Sequence, residues 1–163
     1  MKEIDTFVTH LECSYTGKTY PADQLHGLSE AGKPLLVRYD LEALGKAIEK
    51  EDLEGRLPEF WRYREFLPVR KSENIVRLGE LMTPILPAEK LQNEYGCGEI
   101  LIKDEGRLPT GSFKARGLAL AVAMAKELGV TRMAMPTNGN AGAALAAYCS
   151  AADIETYIFC PED

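Results

Sequence analysis

Histidine is almost missing from this chain, two in 163 residues, and the four cysteines, Cys13, Cys97, Cys149 and Cys160, are scattered with no repeated spacing. That scatter excludes the disulfide framework of a small secreted domain. No leader pattern opens the sequence, so a reducing cytoplasm is the expected setting. Metal ligands are equally scarce: a closed zinc site takes four Cys or His ligands, and the first part of the chain offers only His10, Cys13 and His26, so no metal centre is expected. Positive charge is also short, with 19 Lys and Arg against 25 Asp and Glu, a net charge of -6 and a pI near 5.1. Nucleic-acid binding wants clustered Lys and Arg on one face, and that partner class is set aside. Long apolar runs are absent too; residues 118–125 are too short and too closely flanked by charge to span a bilayer, so no membrane partner is expected. Internal repeats and low-complexity segments are likewise missing. What is present is 45% hydrophobic and 27% charged residues, enough apolar material for one folded unit with a core.

The chain changes character near residue 75. Residues 1–75 read as an arm punctuated by Gly17, Pro21, Gly27, Gly32 and Pro34, with a strand at Pro34-Leu35-Leu36-Val37-Arg38-Tyr39 and helical spacing over 41–50. Residues 59–70 are rich in aromatics, and Phe60, Trp61, Tyr63 and Phe66 are expected to pack onto something larger rather than to touch a ligand. Residues 76–163 read as the first part of an α/β domain. Ile100, Leu101 and Ile102 form a compact apolar run suited to a buried parallel strand at 99–104. Ser112 is placed to cap a helix over 115–128, with Gly129 as its stop. A strand at 132–135, a helix at 140–151 and a strand at 156–160 complete the order strand, helix, strand, helix, strand. Short connections in that order predict an α/β fold, a parallel sheet wound with helices.

In such sheets ligands sit beyond the carboxyl ends of the strands, where loops enter helix N-termini. Two loops have that position. In Leu108-Pro109-Thr110-Gly111-Ser112-Phe113-Lys114-Ala115-Arg116-Gly117, two cations occupy a first helical turn, where the macrodipole disfavours them. Beside Phe113 and an apolar helix, the ammonium form of Lys114 would be disfavoured, leaving free amine for attack on a carbonyl. The plain alternative is that both side chains reach out to solvent. The second loop, Met135-Pro136-Thr137-Asn138-Gly139-Asn140-Ala141-Gly142, has the glycines and helix-start amides of an anion site, and an ordinary tight turn would show them too. Neither loop has a dinucleotide or phosphate-loop spacing, which rejects NAD and ATP.

Taken together, Thr110-Gly111-Ser112-Phe113-Lys114 and Thr137-Asn138-Gly139-Asn140-Ala141-Gly142 resemble the fold-type II pyridoxal-phosphate enzymes. Lys103-Asp104-Glu105-Gly106, Leu78-Gly79-Glu80, Thr83-Pro84-Ile85 and Val37-Arg38-Tyr39-Asp40-Leu41 extend the match and look like the threonine synthase branch. The resemblance implies pyridoxal 5'-phosphate bound as a Schiff base to Lys114, with Ser112 and Phe113 beside it. It implies that Asn140 bonds the phenolic oxygen of the cofactor ring, and that Thr137, Asn138, Gly139, Asn140 and Ala141 hold the carboxylate of an amino-acid substrate. The reaction implied is conversion of O-phosphohomoserine and water to threonine and phosphate, a lyase chemistry of amino-acid biosynthesis.

Three departures accompany the match. Ala115 stands where many threonine synthases have Asp, and Lys-Ala-Arg-Gly is close to the related Ser/Thr dehydratases, which leaves a dehydratase-like lyase or a non-catalytic amino-acid-binding homologue as alternatives. Asn138 takes the place of a small residue. Some relatives carry two Cys-x-x-Cys pairs in the arm, whereas Cys13 here is followed by Thr16. About three parallel strands are fewer than a sheet usually has, and the resemblance puts the cofactor's phosphate cradle in downstream segments. The expected partners are therefore the C-terminal half of the fold and the small-molecule substrate, with homo-oligomerisation left open. Pro161-Glu162-Asp163 reads as the approach to a further helix.

Overall fold

The computed structural model describes residues 6–162, so Asp163 at the expected helix start lies outside the described residues. Backbone contacts divide the chain into two compact units. One comprises the chain up to Leu57 with Trp61–Ile75 and Leu120–Thr131; the other comprises Pro58–Phe60, Val76–Ala119 and Arg132–Asp163. The units thus interleave in sequence, and no single cut at residue 75 separates them.

In the first unit, β1 (Val8–Cys13) pairs antiparallel with β2 (Thr19–Tyr20) and β3 (Leu35–Tyr39), in the order β2-β1-β3. Cys13 lies opposite Leu35 and Leu11 opposite Val37, and the β1–β3 register shifts between Val8 and His10. Helix α1 (Leu41–Ala47) starts where Asp40 Oδ1 accepts the Ala43 amide at 2.8 Å, an N-cap of the ordinary kind. Its helical spacing continues to residue 50 in sequence, but the chain turns extended at Ile48. The aromatic segment forms a kinked 3-10 stretch, Phe60–Phe66. Trp61 is buried in it, whereas Tyr63 and Phe66 stay partly exposed and meet edge to face at 6.5 Å. The three metal-ligand candidates go to separate partners: His10 to Thr9, His26 to the Pro21 carbonyl, and Cys13 to Ser29.

In the second unit, β4 (Ile85–Pro87) leads through α2 (Glu89–Tyr95) to β5 (Leu101–Lys103), and the two strands pair antiparallel. The sequence had suggested a buried parallel strand here. An apolar triplet specifies neither its partner nor its direction, and Ile85-Leu86-Pro87 offers an equally apolar neighbour. Both strands are exposed along their length.

Helix α3 (Lys114–Glu127) is followed by β6 (Arg132–Pro136), α4 (Asn140–Ala151) and β7 (Glu155–Phe159). The α3 end is a Schellman motif: Val130 N–H donates to Ala125 O, Gly129 N–H donates to Lys126 O, and Gly129 has φ +73°. Strands β6 and β7 run parallel, Pro136 opposite Phe159, with α4 packed on both. This strand–helix–strand passage makes the chain an α/β protein. Ala144, Leu145, Tyr148 and Cys149 form the buried side of α4. The α4 contact with the 3-10 turn Pro109–Gly111 positions the lysine loop.

Candidate active site

The carboxyl end of β6 delivers the chain into a turn, Thr137 to Gly139, that opens α4. Gly139 has φ +148°, a backbone state that L side chains rarely adopt. Thr137 Oγ1 accepts the amides of Gly139 at 3.1 Å and of Gly142 at 3.2 Å. The hydroxyl caps the helix from two residues before the usual position. Helix geometry leaves the Asn140 and Ala141 amides without an intrahelical acceptor.

The turn faces Lys114. Lys114, Pro136, Thr137, Asn138, Gly139, Asn140 and Ala141 line one cleft of about 670 Å³, within the range of small-molecule sites. The Lys114 Nζ stands 4.6 Å from the centre of the Phe113 ring, the spacing of a cation–π contact.

Two other sequence candidates stand differently. Phe113 is exposed beside the lysine, whereas Ser112 is buried. Neither is among the cleft-lining residues. Ser112 does not cap α3 through its side chain: its carbonyl accepts the Ala115 amide at 3.2 Å, while its Oγ has no partner among the described residues. Just before it, Thr110 (φ +63°) and Gly111 (φ +70°) are both left-handed. For a β-branched residue that conformation is strained by about 1–3 kcal/mol, and no pattern in the sequence signals it.

The second cation in the first turn of α3 has a partner that the spacing did not reveal. Arg116 donates from Nε to Glu105 Oε2 at 2.5 Å and from Nη2 to Glu105 Oε1 at 2.9 Å. Thr83 Oγ1 donates to Glu105 Oε1 at 2.5 Å, and Lys103 Nζ donates to the Thr83 carbonyl at 3.0 Å. The hydrogen-bonded guanidinium, aided by the Thr83 hydroxyl and against partial burial, holds the Glu105 carboxyl down at about 2. A second pair, this one fully buried, anchors α4. Tyr148 OH donates to Glu80 Oε1 at 2.5 Å, which also accepts the Leu78 amide at 2.8 Å. Both residues are fully buried, and burial, then the Glu80 contact, pushes the phenol pKa up.

A family model described as pyridoxal-phosphate dependent enzyme matches residues 76–163. The chain belongs to that family. Pyridoxal phosphate is accordingly its cofactor type, and the cleft offers a primary amine, Lys114 Nζ, for its carbonyl, beside a helix start whose amides suit a carboxylate. The buried Ser112 Oγ, without a partner among the described residues, lies two residues from that amine in sequence.

Among curated proteins, the chain is 39% identical over 150 residues to the threonine synthase of Methanocaldococcus jannaschii, covering 92% of this chain and 37% of that protein. It is 34% identical over 153 residues to the threonine synthase of Methanosarcina acetivorans, covering 93% and 37%. Against the threonine synthase of Halalkalibacterium halodurans it is 44% identical over 100 residues, covering 61% and 28%. The chain thus spans just over a third of the length of the first two relatives. Among the described residues no helix is long and apolar enough to cross a membrane.

Proposed function

We propose that this chain is the N-terminal part of a cytoplasmic threonine synthase that converts O-phosphohomoserine and water to threonine and phosphate. The observation that carries the proposal is one cleft shared by the Lys114 amine and the Thr137–Ala141 turn, in a chain of the pyridoxal-phosphate family. The similarity to curated threonine synthases supports the substrate.

Lys114 Nζ would hold the cofactor and, once displaced by the substrate amine, act as the base that moves protons at Cα and Cβ. When bound, pyridoxal phosphate supplies the electron sink that makes those protons acidic. Asn140 would bond the ring's phenolic oxygen. Thr137 Oγ1 already accepts two amides, so what it has left to offer is its O–H, a donor that suits a carboxylate. With Asn138 and the amides of Asn140 and Ala141, beside Gly139 whose own amide is held by Thr137 Oγ1, it would orient the substrate carboxylate, while the γ-phosphate departs and water adds at Cβ.

The remainder of the fold, a parallel sheet wound with helices in the fold-type II manner, would come from further polypeptide. The experiment is to purify the full-length protein and measure phosphate released from O-phosphohomoserine beside ketoacid released from threonine. Phosphate release that disappears in Lys114→Ala, together with the borohydride-trapped adduct, is the expected result. Ketoacid release without phosphate release would favour a dehydratase, the reading that Lys114-Ala115-Arg116-Gly117 also allows. A cofactor adduct persisting in Lys114→Ala would remove the lysine assignment.

A further inference from the structure

Helix α3 begins with an unusual economy of restraints. Its Ser112 side chain provides no cap, since the Oγ is buried without a partner among the described residues. Three-residue bonds from the Ala115 amide to Ser112 O and from the Arg116 amide to Phe113 O, both 3.2 Å, close its start. An arginine in this turn opposes the macrodipole, so helix preference does not explain its placement. Glu105 does, by a two-point contact whose planar fork fixes direction as well as distance. Glu105 is itself fixed: Asp104 Oδ1 accepts the Gly106 amide at 3.1 Å, and Thr83 holds one carboxylate oxygen. The clamp therefore ties the segment after β5 and the approach to β4 to the first turn of α3.

Residues two apart on a helix point roughly 200° apart. Fixing Arg116 on one side of the turn fixes where residue 114 emerges on the other. We propose that Glu105 is a positioning residue for Lys114, setting the first turn of α3 through its paired contact with Arg116 so that the amine is held at the cleft. This rests on the assignment of Lys114 as the cofactor-bearing amine. Glu105 touches neither substrate nor cofactor; it acts through the helix.

The test uses the full-length protein loaded with pyridoxal phosphate. Glu105→Gln removes the charge and one arm of the contact, and Arg116→Lys keeps the charge but loses the fork. Three quantities are read: cofactor dissociation constant, visible circular dichroism of the bound cofactor, and melting temperature of the cofactor-free protein. Each variant is expected to weaken cofactor binding about tenfold, less than the roughly hundredfold that a 1 Å misplacement can cost a reaction, and to change the visible dichroism while the cofactor-free protein melts nearly as before. Because both variants break the same pair, the loss in the double variant falls well short of the sum of the two single losses. Glu105→Asp, which retains the charge, recovers part of the loss. Unchanged affinity and dichroism in either single variant, additive losses in the double, or losses that merely track a lowered melting temperature would each overturn the proposal. Lys114→Ala separates the two claims: loss of the trapped adduct there, with unaltered Glu105 variants, rejects the positioning role alone.

Discussion

At Gly142 an added Cβ would stand 2.4 Å from Thr137 Cγ2 and 2.8 Å from Ile158 Cγ2. The first turn of α4 lies so close to the turn and to β7 that only a hydrogen fits. Helix propensity alone favours Ala over Gly by about 1 kcal/mol, but overpacking costs about 1–3 kcal/mol, and Thr137 is stiff about χ1. Gly142→Ala is expected to lower the melting temperature, and adding Thr137→Ser, which deletes the clashing methyl, to restore part of it. Cys13 offers a second single-residue test. Its buried sulfur lies 3.0 Å from Ser29 Oγ and 3.4 Å from the Thr16 amide. The Ser29 hydroxyl, then Thr16 and its neighbours, donate to the thiolate and hold its pKa down at about 6, against an ordinary 9. A depressed folded-state pKa means that the stabilisation is complete above pH 9 and is lost as pH falls through 6. Ultraviolet titration of the thiolate, with Cys13→Ser as blank, should find that midpoint; a midpoint near 9 would reject it.

Helix α3 carries an acidic residue at its C-terminal end, where the dipole would prefer a cation. Glu127 is held there by neighbours in its own unit: its carboxylate accepts the amides of Arg70 at 3.0 Å and Lys71 at 3.0 Å and the Asn74 side-chain amide at 3.2 Å. Three donors converge on one carboxylate, and replacing it leaves all three to find water. Glu127→Ala should destabilise the protein by about 1–3 kcal/mol, read as a shifted denaturation midpoint with unchanged slope. Glu127→Gln, which still accepts through one oxygen, should cost less. If Ala and Gln behave alike, the carboxylate is not the tie.

On the scale of the molecule, the ribbon of β4 and β5 is apolar and exposed on both faces. Leu86 lies opposite Ile102 on one face, while Ile85 and Leu101 occupy the other, and all four are roughly half exposed or more. A two-stranded ribbon of this kind is marginal by itself and belongs in a covered sheet. Residues 1–163 expressed alone are therefore expected to bind a hydrophobic dye and to hold pyridoxal phosphate weakly, without phosphate release. The same measurements on the full-length protein should show little dye binding and tight cofactor. Dye-free, tightly bound and active material from residues 1–163 would sink this expectation.

Local pattern by itself determined β3, the start of α1, the C-terminal end of α3, and the β6–α4–β7 passage. Each depends on near neighbours: an aspartate cap at Asp40, a left-handed glycine at Gly129, an alanine-rich helix between short apolar strands. The two loops at Lys114 and Asn140 stood out through glycine and helix-start chemistry, which leave a mark within a few residues, but what they hold was implied by the resemblance alone. Tertiary structure alone decided what depends on partners far along the chain. The direction of β5 came from its pairing with Ile85-Leu86-Pro87, and the grouping of Leu120–Thr131 with the arm came from contacts between segments far apart in sequence. Arg116 gained its reason from Glu105, 11 residues earlier, and Tyr148 from Glu80, 68 residues earlier. A charge or a hydroxyl carries no record in sequence of which distant group will satisfy it; desolvation during folding imposes that requirement, and only the fold supplies the answer.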